Sequence, residues 1–213
     1  MNDIWFSKFE PYRRMVRKHK PLWNFIPKFI EEFKVNSIID VGGGIGYARQ
    51  FVDQYVLFDS NEALITEVKK QEPDINVFIQ DFTKADVSFL KNKYDLVLMC
   101  AIVEHYGSLY PLLAKALEVE SRYVLITFFK GLTKNTLETK WHGKGAEKHK
   151  STLQLFNKES IDDCLSKLNV LDKSMVFTLE NNKNYSKRQI FDGILLIDLA
   201  QTNNFIERVK NAT

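Results

Sequence analysis

Short apolar runs recur along the chain at regular intervals, and polar segments of helical length separate them. Ser37-Ile38-Ile39-Asp40-Val41, Tyr55-Val56-Leu57-Phe58, Ile75 to Gln80, Asp95 to Cys100 and Tyr123 to Phe129 each read as a short buried strand. Glu62 to Lys70 has helical spacing with acid early and lysine late. Leu109 to Leu117 is apolar at helical intervals after Ser108, a candidate cap. Ile45 to Val52 fits a helix directly after the first strand. Strand and helix in alternation predict a doubly wound α/β sheet, because parallel neighbours need a crossover between them. The end of the chain breaks this rhythm. "SMVFTLE" and "FDGILLIDLA" flank a polar "NNKNYSKRQ" with no room for a crossover helix, which predicts an antiparallel pair.

Composition narrows the class of protein. A chain of 213 residues with 45% hydrophobic and 27% charged residues can bury a proper core as one domain, 1–213, and nothing inside it reads as a linker. No stretch approaches the roughly 18 apolar residues that a membrane span requires. The opening "MNDIWFSKFEPYRRMVRKHK" has no apolar run followed by a small-residue cleavage site, and Cys100 and Cys164 sit in apolar patterns that suit reduced thiols. A cytoplasmic location is the expectation. The net charge of +3 is too small to argue for nucleic-acid binding without a local basic stripe. The four histidines show no ligand spacing with cysteines or acids, so no metal is expected.

The chemistry concentrates in "SIIDVGGGIGYARQF", where Gly42, Gly43, Gly44 and Gly46 follow an acid at the end of the first strand. Residues without Cβ allow positive φ and let a ligand approach the main chain, so this turn is a candidate ligand site. It fails the dinucleotide pattern G-x-G-x-x-G, since the third position falls on Tyr47 or Arg49. It also lacks the Lys-Ser/Thr ending of a phosphate-binding P-loop. The order Asp40-x-Gly42-x-Gly44-x-Gly46 instead resembles the class I S-adenosylmethionine-dependent methyltransferases, and the resemblance extends over roughly Val35 to Ala200.

The resemblance implies a mostly parallel seven-stranded sheet, helices on both faces, a reversed C-terminal strand, and a helix in "LQLFNKESIDDCLSKLN". It implies S-adenosyl-L-methionine as the cofactor, with Asp40 and the four glycines among the residues that bind it. Asp59, with Ser60 beside it, would hold the ribose hydroxyls, a task suited to a carboxylate that accepts two hydrogen bonds from a diol. Asp81 would accept from the adenine amine, Phe82 would cover the ring face, and Cys100 would lie near the methionine part. After the fourth strand, Glu104 and His105 are the candidate catalytic pair. His105 is the candidate general base for a hydroxyl acceptor, because its ordinary pKa lies near neutrality. The same two residues could equally serve to tie down their loop.

Specialised branches of the family are excluded by what is missing. "MCAIVEHY" lacks the Pro-Pro of amino-methylating DNA enzymes, and Cys100 has no neighbouring proline or cation to make it a nucleophile. Before the fifth strand, Glu120-Ser121 stands where many small-molecule enzymes carry Pro-Gly-Gly. Two segments outside the cofactor strands are candidates for choosing the acceptor. One is an N-terminal helical cap, 1–34, in which aromatics alternate with Arg13, Arg14, Arg17 and Lys18. The other is the lysine-rich insertion 130–157 with Trp141 and His142, expected to close as a lid. The expected acceptor is a small molecule or a glycan-type hydroxyl. A nucleic acid is the alternative acceptor, and a non-catalytic cofactor-binding partner subunit is a reading from another class.

Overall fold

A computed structural model describes residues 20–133, 140–141, 153–178 and 190–213. Its sheet is built from β1 (Ser37–Val41), β2 (Gln54–Phe58), β3 (Val77–Phe78), β4 (Leu96–Cys100), β5 (Tyr123–Thr133), β8 (Ser174–Thr178) and β9 (Ile190–Asp198). A separate two-stranded ribbon pairs β6 (Lys140–Trp141) with β7 (Leu153–Gln154). The helices are α1 (Lys20–Phe33), α2 (Glu62–Gln71), the single turn α3 (Val103–Tyr106), α4 (Tyr110–Glu118), α5 (Lys158–Lys167) and α6 (Phe205–Ala212).

The seven strands lie in the order β3-β2-β1-β4-β5-β9-β8. β1 pairs in parallel with both β2 and β4, β4 pairs in parallel with β5, and β9 runs antiparallel to both β5 and β8. Six strands therefore point one way and β9 points back. The chain leaves β1 towards β2 on one side and reaches β4 on the other. This reversal of order opens a crevice above the carboxyl ends of β1 and β4, where open α/β sheets bind ligands.

Both faces of the sheet are covered, and the period of two along each strand divides the core. Ile39, Val41, Val56, Val97, Met99, Val124 and Ile126 pack with Leu112, Leu113 and Ala116 of α4 and with Ile161 and Leu165 of α5. Ile38, Leu57, Leu96, Leu98, Leu125, Ile194 and Leu196 pack with α1, α2 and α6. The described part of the 1–34 segment, α1, is thus a core helix. Phe25, Phe29 and Phe33 are at most 2% exposed. Phe29 and Phe33 stack at 4.4 Å, and both meet the edge of Tyr123. Arg208 of α6 lies 4.5 Å over Phe33 and pairs with Glu32, fixing the C-terminal helix on top of α1.

Several local expectations change. The segment Ile45–Val52 forms a 3-10 helix only over Tyr47–Phe51, and the third strand shrinks from Ile75–Gln80 to Val77–Phe78. Helix α4 begins at Tyr110 with Leu109 as its N-cap, and Ser108 does not cap it. α5 is capped as a box in which Asn157 and Ser160 exchange hydrogen bonds. β5 continues to Thr133 with a register shift against β9 between Phe128 and Leu132, and Leu132 also bridges to Phe156. β7 comes to lie against α3, so the chain after β5 returns beside the turn that follows β4. The remainder of the insertion, 134–139 and 142–152, and the basic stretch 1–19 lie outside the described residues.

Candidate active site

The glycine turn joins β1 to the 3-10 helix with Gly42, Gly44 and Gly46 at φ 65°, 58° and 71°, in the left-handed region. Two of its positions are also closed to a side chain by their neighbours. A Cβ on Gly42 would stand 2.7 Å from Cδ1 of Ile102, which leans over the turn from the end of β4. A Cβ on Gly43 would stand 2.3 Å from Cγ of Asp40, whose carboxyl lies directly beneath.

Asp40 is therefore under the turn rather than in the crevice. It is 2% exposed, its Oδ2 accepts a 2.7 Å hydrogen bond from the Tyr55 hydroxyl, and its Oδ1 has no partner among the described residues. Burial raises its pKa to about 7 against the lowering by Tyr55, with the Asp59 charge adding to the rise. Tyr55, Asp40, Cys100 and Thr127 share the α1 side of the sheet by strand parity. There Thr127 Oγ1 donates to Cys100 Sγ at 3.3 Å. Cys100 is half-buried, and burial pushes its thiol pKa strongly up, so it is no thiolate nucleophile. Cys164 is a second free, buried thiol in α5.

Asp59 stands at the end of β2, half-buried, facing the turn. Its Oδ2 accepts from the Gly44 N–H at 3.1 Å and its Oδ1 from the Asn61 N–H at 2.8 Å, while Ser60 is exposed next to it. Asp81, after β3, is also half-buried. Its Oδ1 accepts from the Thr83 N–H (3.0 Å), the Thr83 hydroxyl (2.8 Å) and the Tyr106 hydroxyl (3.0 Å). Partial desolvation pushes the Asp81 pKa up, but these donors outweigh it and the net shift is downward. Phe82 departs from its expected place. It is 1% exposed and packs edge-on against Phe58, 5.1 Å away, in the core below α4, so its ring is not available to cover a ligand.

The turn α3 carries three different tasks on consecutive residues. Glu104 is 2% exposed and accepts a hydrogen bond at Oε1 from the Phe129 N–H within β5, while its Oε2 has no partner among the described residues. Burial raises its pKa to about 8, opposed by its backbone hydrogen bonds and helped by the nearby Asp192. Glu104 is thus buried and tied to β5. His105, next to it, is exposed, and partial desolvation lowers its pKa, so its imidazole is neutral and basic at neutral pH. Tyr106 is half-buried and reaches Asp81; burial and that carboxylate raise its pKa to about 12. Gly107, at φ 72°, ends the turn.

The structure therefore brings the glycine turn, Asp59, Asp81 and the α3 turn together at one edge of the sheet. Trp141 enters only through its backbone, paired with Leu153 in the ribbon, and His142 lies outside the described residues. Sequence reasoning missed Tyr55, Thr127 and Tyr106. The two strand residues could have been found from the parity that puts Tyr55 and Thr127 on the face of Asp40 and Cys100. Among the described residues no group of three or more His, Cys, Asp or Glu side chains is arranged to hold a metal ion, and no helix is long and apolar enough to cross a membrane.

By sequence, the chain matches no protein-family model and no curated protein. By structure, it is similar to solved methyltransferases. The plantazolicin methyltransferase BpumL in complex with SAH (S-adenosylhomocysteine) aligns with a TM-score of 0.56 at 19% identity, over 91% of this chain and 92% of that one. The Burkholderia thailandensis 1,6-didemethyltoxoflavin-N1-methyltransferase, with 1,6-didemethyltoxoflavin and S-adenosylhomocysteine bound, aligns at 0.60 and 10% identity, over 92% and 85%. The N-terminal domain of EvdMO1 with SAH bound aligns at 0.55 and 16% identity, over 80% and 77%. The chain has the class I methyltransferase fold.

Proposed function

We propose that this protein is an S-adenosylmethionine-dependent methyltransferase acting on a small molecule or a glycan-type hydroxyl. The observation that carries the reading is the meeting of the Asp59 carboxylate with the Gly44 N–H at the strand-order reversal, within the same edge as Asp81. A half-exposed carboxylate facing a turn that admits no side chains fits a ligand that brings a diol to the acid and a slender chain to the backbone.

Gly42 to Gly46 would line the methionine end, with Cys100 below it, and Asp59 and Ser60 would hold the ribose. Asp81 would take the adenine amine. Ile102, which already leans over the turn, is better placed than Phe82 to supply an apolar surface. When bound, the cofactor supplies an activated methyl group on a sulfonium that is its own leaving group. The chain's part is then alignment and proton handling. His105, exposed and neutral, accepts the proton of the acceptor hydroxyl as its oxygen takes the methyl, and the resulting imidazolium returns the proton to water. Glu104 keeps His105 in place by fastening α3 to β5 at Phe129. Trp141 and His142, in the insertion 130–157, are the proposed acceptor contacts. The similarity to a protein with 1,6-didemethyltoxoflavin bound supports a small acceptor.

The test is methyl transfer from labelled S-adenosylmethionine to panels of hydroxylated small molecules and glycans, and to RNA and DNA at rising salt. Transfer to a small hydroxylated acceptor is expected. Transfer only to nucleic acid, weakening steeply with salt, would replace the acceptor class. Cofactor binding without transfer to any of them would make the chain a binding subunit.

A further inference from the structure

Asp81 treats its two oxygens unequally. Oδ1 is saturated by Thr83 N–H, Thr83 Oγ1 and Tyr106 Oη at 3.0, 2.8 and 3.0 Å. Among the described residues Oδ2 has only Lys84 Nζ at 3.7 Å, from a side chain 83% exposed. The two Thr83 contacts belong to the cap of the short 3-10 helix Phe82–Lys84 and are local. The third donor arrives from 25 residues away, on the turn that also carries His105. A tyrosine there is not needed by the cap, and its half-buried ring spends its one hydroxyl proton on this oxygen.

We infer that Tyr106 is a positioning and specificity residue: by holding Oδ1 it fixes the carboxylate so that Oδ2 alone faces the ligand, as a pure acceptor that selects a purine bearing an exocyclic amine. The inference rests on the proposed function, which gives Asp81 to the purine. An ionised carboxylate can only accept, so an amino group at the purine 6-position is matched and a carbonyl there sets two lone pairs against each other. Without the Tyr106 hydroxyl the carboxylate is held only by the donors of its own loop, Thr83 N–H and Oγ1, and Oδ2 is aimed less firmly. It remains an acceptor, but the hydrogen bond that rewards the amine weakens and the preference over a carbonyl shrinks. The same bond ties the purine side of the crevice to the turn bearing His105.

The experiment is calorimetric titration of S-adenosylhomocysteine and S-inosylhomocysteine, its 6-oxo counterpart, into the wild type, Tyr106→Phe, Tyr106→Met and Asp81→Asn. The wild type is expected to prefer the adenosyl compound by roughly tenfold or more, in line with a hydrogen bond to a charged group. Both Tyr106 variants should shrink that preference to within about threefold, a loss of much of one such bond. Asp81→Asn, whose amide can also donate, should erase or reverse it. If the Tyr106 variant that folds weakens both compounds equally and keeps the ratio, Tyr106 is only structural and the inference is overturned. A wild type that binds both compounds equally removes the role of Asp81 while cofactor binding stands. A wild type that binds neither removes the proposed function itself.

Discussion

Four acids surround the crevice, and the two on loops differ from the two beneath the strand tips. Asp59 and Asp81 are half-buried and take backbone N–H donors from their own loops or from the glycine turn. Asp40 and Glu104 are each 2% exposed, each has one oxygen without a partner among the described residues, and burial raises them to about 7 and about 8. The loop acids stay partly exposed, with their backbone donors already in place. The buried acids hold the platform: Asp40 fills the space under Gly43 and Glu104 fastens α3 to β5. Under the proposed function, the same side-chain chemistry would serve binding or architecture according to whether water or protein surrounds it.

Substitutions can break this division at its strongest point first. Gly44→Val puts a β-branched residue at φ 58° and bulk into the approach path, and is expected to abolish S-adenosylhomocysteine binding in calorimetry. Within α3 the neighbours should part company. His105→Ala is expected to lower kcat on a hydroxyl acceptor by about 10² with cofactor affinity nearly unchanged, as for loss of a general base. Glu104→Gln, which keeps the shape of the anchor, should stay within a few-fold of wild type. If both variants fell equally, the turn would be acting as one anchor and His105 would lose its role as base.

The smallest effect concerns pH. Because Asp40 and Glu104 have raised pKa values in the fold, the folded state holds more protons than the unfolded one between about pH 4 and pH 8. Stability contributed by the protonated acids is complete below their unfolded pKa values and is lost as pH rises through about 7 and about 8. His105, whose pKa is lowered, contributes in the opposite direction below its ordinary pKa. Thermal unfolding should therefore show a Tm that falls between pH 5 and pH 8.5, by an amount on the order of a few kcal/mol in stability. The double variant Asp40→Asn, Glu104→Gln should flatten the fall. An equally steep fall in the double variant would show that these acids are charged in the fold.

Much of the architecture was legible because it depends on patterns that the chain repeats. The alternation of apolar runs with helical segments marked the parallel sheet, and the tight spacing at the end marked the reversed β9. The acids and glycines could be named in order because the resemblance to the methyltransferases assigns them to the ends of successive strands and to the turn after the first. What could not be read was depth. Phe82 and Glu104 look like site residues from position alone, yet packing against Phe58 and a bond to the Phe129 N–H take them out of the crevice. Phe25, Phe29 and Phe33 looked like part of a substrate cap, and they are core because Tyr123 and α6 wait opposite them. The Tyr106 contact to Asp81 joins residues 25 apart, and only the fold decides which tyrosine reaches which acid.

The most direct measurement is calorimetric titration of S-adenosylhomocysteine into the wild type, Asp59→Ala and Asp40→Asn, with a thermal melt of each. The wild type should bind. Asp59→Ala should bind roughly 10- to 100-fold more weakly while melting close to wild type, the loss expected for a hydrogen bond to a charged group, and Asp40→Asn should keep its affinity within about threefold. A wild type that does not bind, or an Asp59→Ala variant with unchanged affinity, would contradict the account.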